Sequence, residues 1–242
     1  MSNQHLLTRT IRSIVNDRFA AVRVFKYFGI DFCCGGAINL GDACRLAGAD
    51  TYAVLEALEN IKEEGSDIPF DSWPTDLVID YVLKIHHRNI RRRGPQLLAD
   101  IERIAATHGD RHAELHKLRD HFALSLEDLE NHLQKEEQIL FPYCLQLIDA
   151  AERGVRCQKM HCGSVANPIR VMLREHNDED TRYKYIRSLM NNFVPPADAC
   201  PSYRLMLQDL EAFMDALFEH IHLENNILFP RFEALERRCV EE

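Results

Sequence analysis

HLQKEEQILFP at residues 132–142 and HIHLENNILFP at residues 220–230 are two copies of one pattern, H-x-x-x-E-x-x-I-L-F-P. Residues four apart lie one turn above each other on an α-helix, so each copy directs an imidazole and a carboxylate to the same side. His132 and Glu136 form the first pair, and His220 and Glu224 form the second. The repeat therefore predicts a helical protein in which two His-Glu pairs bind metal. The Ile-Leu-Phe residues of each copy are expected to pack in the core.

Each copy is preceded by a histidine on the helix before it. His86 lies 46 residues before His132, and His176 lies 44 residues before His220. Two such helix pairs, packed around a pseudo-two-fold axis, would bring four imidazoles and two carboxylates to one cavity, enough for two metal ions with bridging carboxylates. Because the set contains no thiolate, it favours iron or manganese over structural zinc, and open coordination positions would suit dioxygen or nitric oxide.

The rest of the chain is predicted to be helical as well. Gly and Pro are sparse, at 10 and 9 of 242 residues, and long stretches are rich in strong helix formers. Short connections between long helices favour antiparallel neighbours, so we expect an all-α, up-down-up-down four-helix bundle. The expected long helices span 75–107, 111–153, 169–193 and 202–238. The bundle is assigned to 75–239 and a small helical domain to 1–66, with a linker at 64–74 and a helix over 51–64 capped by Asp50.

Composition argues against two classes of partner. Lys and Arg total 29 against 38 Asp and Glu, giving a formal net charge of −9 and no broad basic face for nucleic acid. No segment has the length and apolarity needed to cross a membrane, and the first 17 residues carry Arg9, Arg12 and Asp17, unlike a secretory signal. We expect a cytoplasmic protein whose eight cysteines stay reduced, with neither nucleic acid nor membrane as a partner.

Further motifs carry a resemblance to a known family. They are Asp31-Phe32-Cys33-Cys34-Gly35-Gly36, Arg174-Glu175-His176 and Leu223-Glu224-Asn225-Asn226. With the repeat, they resemble the repair of iron centres family of hemerythrin-like di-iron proteins, which has an N-terminal vicinal-cysteine domain, over nearly the whole chain. The resemblance implies a non-haem, oxo-bridged centre of two iron ions. Its implied terminal ligands are His86, His132, His176 and His220, and its implied bridges are Glu136 and Glu224.

The choice between two adjacent histidines rests on this resemblance. His86 and His87 point about 100° apart on a regular helix, and the family alignment favours His86. His87 is therefore expected to be dispensable for metal binding.

The resemblance also implies a function. It indicates a di-iron protein that repairs iron-sulfur clusters damaged by nitrosative or oxidative stress, by donating iron, with damaged iron-sulfur proteins as partners and nitric oxide or dioxygen as small ligands. Cys33 and Cys34 are expected to accept iron or a nitrosyl group, because Gly35 and Gly36 leave the thiols approachable. Glu175 is expected to assist as an acid or base.

Two alternatives use the same ligands: a nitric oxide reductase-like di-iron enzyme, and an oxygen or nitric oxide sensor or binding protein. The sequence does not decide whether the protein is an enzyme, and it leaves the oligomeric state open, with a homodimer among the options.

Other histidines and cysteines are given lesser roles. His222 is expected to face away from the metals, and a solvated helix face is expected for His108, His112, His116 and His121. Three residues of one loop could hold a metal but lack a fourth ligand: Cys157, His161 and Cys162.

Overall fold

The computed structural model describes residues 3–61 and 69–240, and within them it contains helices and no β-strand. This confirms the all-α class. The N-terminal part contains α1 (Asn3–Thr8), α2 (Ile11–Asp17), α3 (Ala21–Tyr27), α4 (Leu40–Ala47) and α5 (Thr51–Glu59). Among these described residues, no helix combines the length and the apolar character that a membrane crossing requires.

Helix α5 shows which local signals the sequence reveals. Asp50 is its N-cap as expected, and the side chain accepts hydrogen bonds from the backbone N–H groups of Tyr52 and Ala53. The helix ends at Glu59, earlier than predicted, because Asn60 adopts a non-helical conformation and its side-chain amide donates to a backbone carbonyl of the last turn. Residues 62–68, where the predicted end of this helix and much of the predicted linker fall, lie outside the described residues.

Four long helical stretches follow, near their predicted places. They comprise α6 (Thr75–Tyr81), a π segment (Val82–His87) and α7 (Arg88–His108); α8 (Glu114–Lys135), a π segment (Glu136–Leu140) and α9 (Phe141–Arg153); α10 (Ala166–Leu189); and α11 (Pro201–Leu223), a π segment (Glu224–Leu228) and α12 (Phe229–Val240). Short 3₁₀ turns lie at Phe70–Ser72 and Asn191–Phe193. Helix α8 packs against α7 and α10, and buried aromatic side chains such as Phe122 and Phe213 meet edge to face between helices. The expected helical bundle is confirmed.

Each π segment lies at a candidate metal ligand. Val82–His87 ends with the two adjacent histidines, whereas Glu136–Leu140 and Glu224–Leu228 both begin with the glutamate of the repeat. A π turn has i→i+5 hydrogen bonds, and such turns are frequent at functional sites. Because a π turn holds more residues than an α turn, it changes the direction of the side chains around it. A prediction based on regular helical spacing cannot anticipate that change.

The chain divides into two compact units. The smaller unit combines the N-terminal part, up to Val78, with Ile221–Arg231, and the larger unit contains Ile79–His220 and the residues from Phe232 onward. The second copy of the repeat is thus shared, with His220 in the larger unit and its remaining residues in the smaller one. The domain limits of 1–66 and 75–239 remain a prediction.

Candidate metal centre

Four histidines and one glutamate form two overlapping groups in the larger unit. His87, Glu136 and His220 each offer a ligand atom within 4.8 Å of the others, and so do His132, Glu136 and His176. All five side chains are buried, with 0 to 3% of their surface exposed. Nitrogen and oxygen donors of this kind fit a transition ion such as iron. The donor set therefore matches the metal that the sequence indicates.

The carboxylate of Glu136 lies between the two groups. Its Oε2 is 3.4 Å from Nε2 of His87 and 3.9 Å from Nε2 of His220, while its Oε1 is 3.4 Å from Nε2 of His132. In the second group, Nε2 of His176 lies 3.1 Å from Nε2 of His132. Each carboxylate oxygen therefore faces a different group, which is how a carboxylate that bridges two metal ions is placed.

Burial keeps His220 in the form that binds metal. It lowers the pKa of His220 well below the usual value, and the neighbouring imidazole of His87 lowers it further. A neutral imidazole has a free ring nitrogen, whereas an imidazolium has none. The ring of His220 can therefore offer a nitrogen lone pair to a cation near neutral pH.

Two outer carboxylates hold the rings in place. Nδ1 of His132 is 2.9 Å from Oε2 of Glu175, and Nδ1 of His87 is 2.8 Å from Oε1 of Glu137. When Nδ1–H donates to these carboxylates, Nε2 is left without its proton and faces Glu136. Similar carboxylate partners are common behind metal-binding histidines, because they fix both the tautomer and the orientation of the ring.

Glu175 is ionised in this arrangement. Its hydrogen bond with His132 lowers the pKa of Glu175 to about 2, and Lys135, whose Nζ is 2.5 Å from Oε1, adds to the effect. For Glu137, burial alone would raise the pKa, but hydrogen bonds from Arg91 and His87 hold it below the usual value. A carboxyl group with a pKa of about 2 has no proton to donate at neutral pH. Of the predicted role as an acid or base, the acid half is therefore disfavoured, and the hydrogen bond with His132 favours an orienting role for Glu175.

The structure brings His87, and not His86, to the cluster, which reverses the expected places of the two. His86 is buried elsewhere, with Nδ1 3.1 Å from the carbonyl oxygen of Ala216 and Nε2 3.7 Å from Glu219. Both histidines end the π segment Val82–His87, so the spacing of a regular helix does not apply to them. The π turn is the physical reason for the difference.

The histidines also group differently from their order along the chain. The sequence pairs a preceding histidine with each copy of the repeat, so that His132 belongs to the first half-site and His220 to the second. In the structure His220 lies with His87, and His132 lies with His176. Each group therefore draws one histidine from each half of the bundle.

Glu224 follows His220 by four residues and begins the last π segment. Its side chain is fully buried. Since it occupies the same position in the repeat as Glu136, its assignment as the second bridging carboxylate stands as a prediction from the pattern.

In the smaller unit, the vicinal cysteines lie in a tight turn formed by Asp31. Its Oδ1 accepts hydrogen bonds from the backbone N–H groups of Cys33, at 3.1 Å, and Cys34, at 2.9 Å. The Cys33 side chain is only 2% exposed, whereas Cys34 is half-buried. Cys34 is therefore the thiol of this pair that a reactant meets first.

Two asparagines of the second repeat copy bind this cysteine turn. The side-chain amides of Asn225 and Asn226 donate to the carbonyl oxygen of Cys33, at 3.3 and 3.1 Å. Nε of Arg12 donates to Oδ1 of Asn226 at 2.8 Å, and a Cβ at Gly36 would lie only 2.4 Å from that same oxygen. The sequence predicted no role for Asn225 and Asn226 at the cysteine turn, although the two amides beside Glu224 in the family-like motif were a signal of it.

His222 contacts the same turn. Its Nδ1 lies 3.3 Å from the carbonyl oxygen of Phe32 and 3.0 Å from Nδ2 of Asn226. Burial lowers the pKa of His222 to about 4, so the ring is neutral at physiological pH. This histidine supports the cysteine turn.

The solvated face predicted for four histidines is only partly observed. His116 is exposed, but His112 and His121 are half-buried, and His108 is buried with Nε2 3.3 Å from Sγ of Cys200. The expectation for His108 is therefore wrong, because the ring is covered at the end of its helix, where it packs on Tyr203.

The loop between α9 and α10 offers no cluster in the part of the chain that the structure describes. Cys157, His161 and Cys162 do not converge into a group of three ligands there.

The apolar residues of the repeat are core residues with one exception. Leu140, Phe141, Leu228 and Phe229 are buried as expected. Ile139 is 43% exposed, although its counterpart Ile227 is 3% exposed. The core prediction is wrong for Ile139.

The fold and the site together define a class: a helical bundle protein with a buried imidazole and carboxylate metal centre. Residues 78–232 match the family model described as the hemerythrin HHE cation binding domain. Residues 7–62 match the ScdA_N model, described as a domain of unknown function, DUF542.

Known proteins that resemble the chain carry one description. This chain is 37% identical over 213 residues to the iron-sulfur cluster repair protein YtfE of Musicola paradisiaca, and the match covers 87% of this chain and 90% of the relative. It is 36% identical to a probable iron-sulfur cluster repair protein of Haemophilus influenzae, again with 87% and 90% covered, and 32% identical to YtfE of Escherichia coli, with 89% and 92% covered. The chain belongs to the hemerythrin HHE family and, within it, to the family of these iron-sulfur cluster repair proteins, which confirms the resemblance. The HHE domain implies binding of non-haem iron.

Proposed function

We propose that the protein repairs damaged iron-sulfur clusters by donating iron from a centre that holds two iron ions. The observation that carries this proposal is the position of Glu136, whose two carboxylate oxygens face different histidine groups. The similarity to iron-sulfur cluster repair proteins supports the repair function, and the HHE domain supports the choice of metal.

The proposed ligands differ from the sequence-based set at one position. His87 takes the place of His86, because its Nε2 faces Glu136. The complete set is His87, His132, His176 and His220 as terminal ligands, with Glu136 and Glu224 as bridges. When bound there, iron would supply one-electron redox chemistry, an oxo bridge and open positions for small ligands such as nitric oxide or dioxygen.

The residues around the ligands prepare the rings. Glu137 and Glu175 accept the Nδ1 protons of His87 and His132, which leaves Nε2 of each ring as a lone-pair donor. The ring of Phe141 stacks on His87 with centroids 6.1 Å apart and excludes water from that side. Such a site would bind a cation through donor atoms that are already oriented, and Phe141 would limit the access of water to His87.

The vicinal thiols are the proposed acceptors of the iron as cargo, or of a nitrosyl group. Thiolates are softer donors than imidazole or carboxylate, so a thiol pair can receive an iron ion that leaves the centre. The half-buried Cys34 would meet the cargo first, with the buried Cys33 as its neighbour. Asn225 and Asn226, which bind this turn, directly follow Glu224 in the chain. This connects the cysteine turn to the segment that carries a proposed ligand.

The proposed setting is the bacterial cytoplasm under nitrosative or oxidative stress, where a reducing milieu keeps both thiols reduced. Damaged iron-sulfur proteins are the proposed partners. A nitric oxide reductase-like enzyme would instead turn over nitric oxide without any client protein. A sensor would bind nitric oxide or dioxygen without turning it over and without repairing a cluster.

Iron content and cluster restoration, measured side by side, test the proposal. A Cys33→Ser, Cys34→Ser double variant should keep its iron and lose most of its ability to restore a damaged cluster protein, because hydroxyls are poor substitutes for thiolates. Glu136→Gln should lose iron first and repair as a consequence. Cys162→Ser, at an exposed thiol outside the turn, is the matched control and should change neither.

Three outcomes would contradict the proposal. The first is full repair by the double serine variant, which would make the turn dispensable. The second is an iron-replete protein that holds one metal ion per chain. The third is nitrous oxide formation at a steady rate with no restoration of clusters, which would favour the reductase.

A further inference from the structure

Cys200 occupies the N-cap of the long helix α11. The helix begins at Pro201, and the carbonyl oxygen of Cys200 accepts the first helical hydrogen bond, from the N–H of Arg204, at 3.1 Å. The side chain is half-buried and therefore open to a reactant. A helix N-terminus carries a partial positive charge, which attracts an anionic reactant.

A buried histidine contacts this thiol. Nε2 of His108, near the end of α7, lies 3.3 Å from Sγ of Cys200. The His108 side chain is only 7% exposed, and its Nδ1 has no hydrogen-bond partner among the residues that the structure describes. An imidazole at this distance can take the proton of the thiol.

We propose that Cys200 is a reactive thiol that forms a reversible mixed disulfide with a small anionic disulfide of the glutathione type, with His108 as its proton acceptor. Proton transfer from Sγ to Nε2 of His108 gives the thiolate. The thiolate attacks one sulfur of the disulfide, so that a Cys200 sulfur bond forms while the original sulfur–sulfur bond breaks. The leaving thiolate takes the proton from His108. Cys200 is oxidised, and half of the small disulfide is reduced to a thiol.

The charged neighbours of this site suit an anionic reactant. Asp198 is the nearest acid along the chain, but it is paired with His112 at 3.0 Å and with Arg111 at 3.2 Å. His112 also pairs with Glu114 at 3.0 Å, and hydrogen bonds from the ring to Glu114 and Asp198 raise the pKa of His112, which favours its protonated form. Arg204 is exposed one turn into the helix. Arg111, His112 and Arg204 therefore offset the acidic groups near the thiol.

The other thiols of the larger unit provide matched comparisons. Cys162 is more exposed than Cys200 but has no histidine at such a distance among its described contacts. Cys157 is half-buried like Cys200, and burial raises its pKa, which disfavours its thiolate. If exposure alone decided reactivity, Cys162 would react first. If contact with a proton-accepting imidazole decides it, Cys200 reacts first.

Alkylation of the full-length, iron-loaded protein near pH 6.5 tests the thiolate, with each cysteine followed by peptide mass spectrometry. Cys200 should react with iodoacetamide roughly tenfold faster than Cys162 or Cys157. His108→Gln keeps a polar side chain of similar size, and it should slow Cys200 by about tenfold while leaving Cys162 unchanged. Equal rates at Cys200 and Cys162, or no effect of His108→Gln, would overturn the proposal.

Incubation with oxidised glutathione tests the reactant. A single glutathionyl group should appear on Cys200, should leave on addition of reduced glutathione, and should be absent from the Cys200→Ser protein. An adduct that forms first on Cys162, or fast alkylation of Cys200 without any adduct, would overturn the assigned ligand. Because the order of rates is measured in the unmodified sequence, the test stands even where His108→Gln lowers the helical circular dichroism signal.

Discussion

The two copies of the repeat, residues 132–142 and 220–230, differ in what surrounds them. At the third position of the pattern, Gln134 is exposed and His222 is buried, and at the seventh position, Gln138 is exposed and Asn226 is buried. In the second copy these polar residues contact the cysteine turn of the smaller unit. In the first copy they face solvent. The first copy thus carries proposed metal ligands only. The second copy carries proposed metal ligands and also contacts the cysteine turn.

The positions that the two copies share and the positions at which they differ have different roles. With the exception of the exposed Ile139, the His, Glu, Ile, Leu and Phe positions that are identical in both copies carry proposed ligands or lie in the core. Glu136 and Glu224 also start their π segments. Positions that differ select the neighbour of each copy. Glu137 orients a histidine, whereas Asn225, at the same place in the second copy, donates to the carbonyl of Cys33.

The largest expected effect comes from the shared glutamates. Glu136→Gln and Glu224→Gln should each remove most of the bound iron, because an amide cannot supply the negative charge that offsets two adjacent cations. The measurement is iron per chain after purification from iron-rich medium. Exposed Glu152→Gln serves as the control and should keep its iron.

If only one of the two glutamate variants lost iron, the copies would not be equivalent as metal ligands. The two copies would then differ in metal binding even at the glutamate that they share.

The adjacent histidines before the first copy give the next largest effect. His87→Ala should strongly lower the iron content, since its Nε2 faces Glu136, and His86→Ala should leave the iron content nearly intact. Each variant is the control for the other, because both remove a buried imidazole from the same π segment. Iron loss in the His86 variant alone would restore the assignment made from sequence.

Much of the fold follows from the sequence, and the reasons are local. Helix formers, the cap at Asp50 and the breaks between helices are signals carried by neighbouring residues, so the four long helices appear close to their predicted places. The ligand types follow from the repeat. The choice of His87 does not, because it depends on a π turn that the spacing of a regular helix does not reveal. His108 contacts Cys200, which is 92 residues away in sequence. The charged residues next to His108 in the sequence therefore did not reveal its burial.

A smaller effect on metal affinity is expected from the carboxylates behind the histidine rings. One of them, Glu137, occupies a position at which the two copies differ. Glu137→Gln removes the negative charge behind His87, and Glu175→Gln does the same behind His132. Loss of such a partner weakens metal affinity by roughly 10- to 100-fold. Competition with a chelator of known iron affinity measures the change. Glu130→Gln, which alters another carboxylate that binds Arg91 but touches no histidine ring, is the control. Equal affinity in the Glu130 and Glu137 variants would show that ring orientation is unimportant.

The smallest effect on the metal, and the sharpest test of the comparison, is expected at the seventh position of the pattern. Asn226→Ala removes hydrogen bonds to the carbonyl oxygens of Phe32 and Cys33 and leaves Arg12 without that acceptor. The loss should cost about 1–3 kcal/mol of local stability. Cys33, buried in the parent, should then be alkylated faster, while iron content stays the same. Gln138→Ala, at the same place in the first copy, should change neither quantity, because that side chain is exposed. An unchanged alkylation rate at Cys33 in the Asn226 variant would mean that Asp31, Asn225 and His222 hold the turn without Asn226.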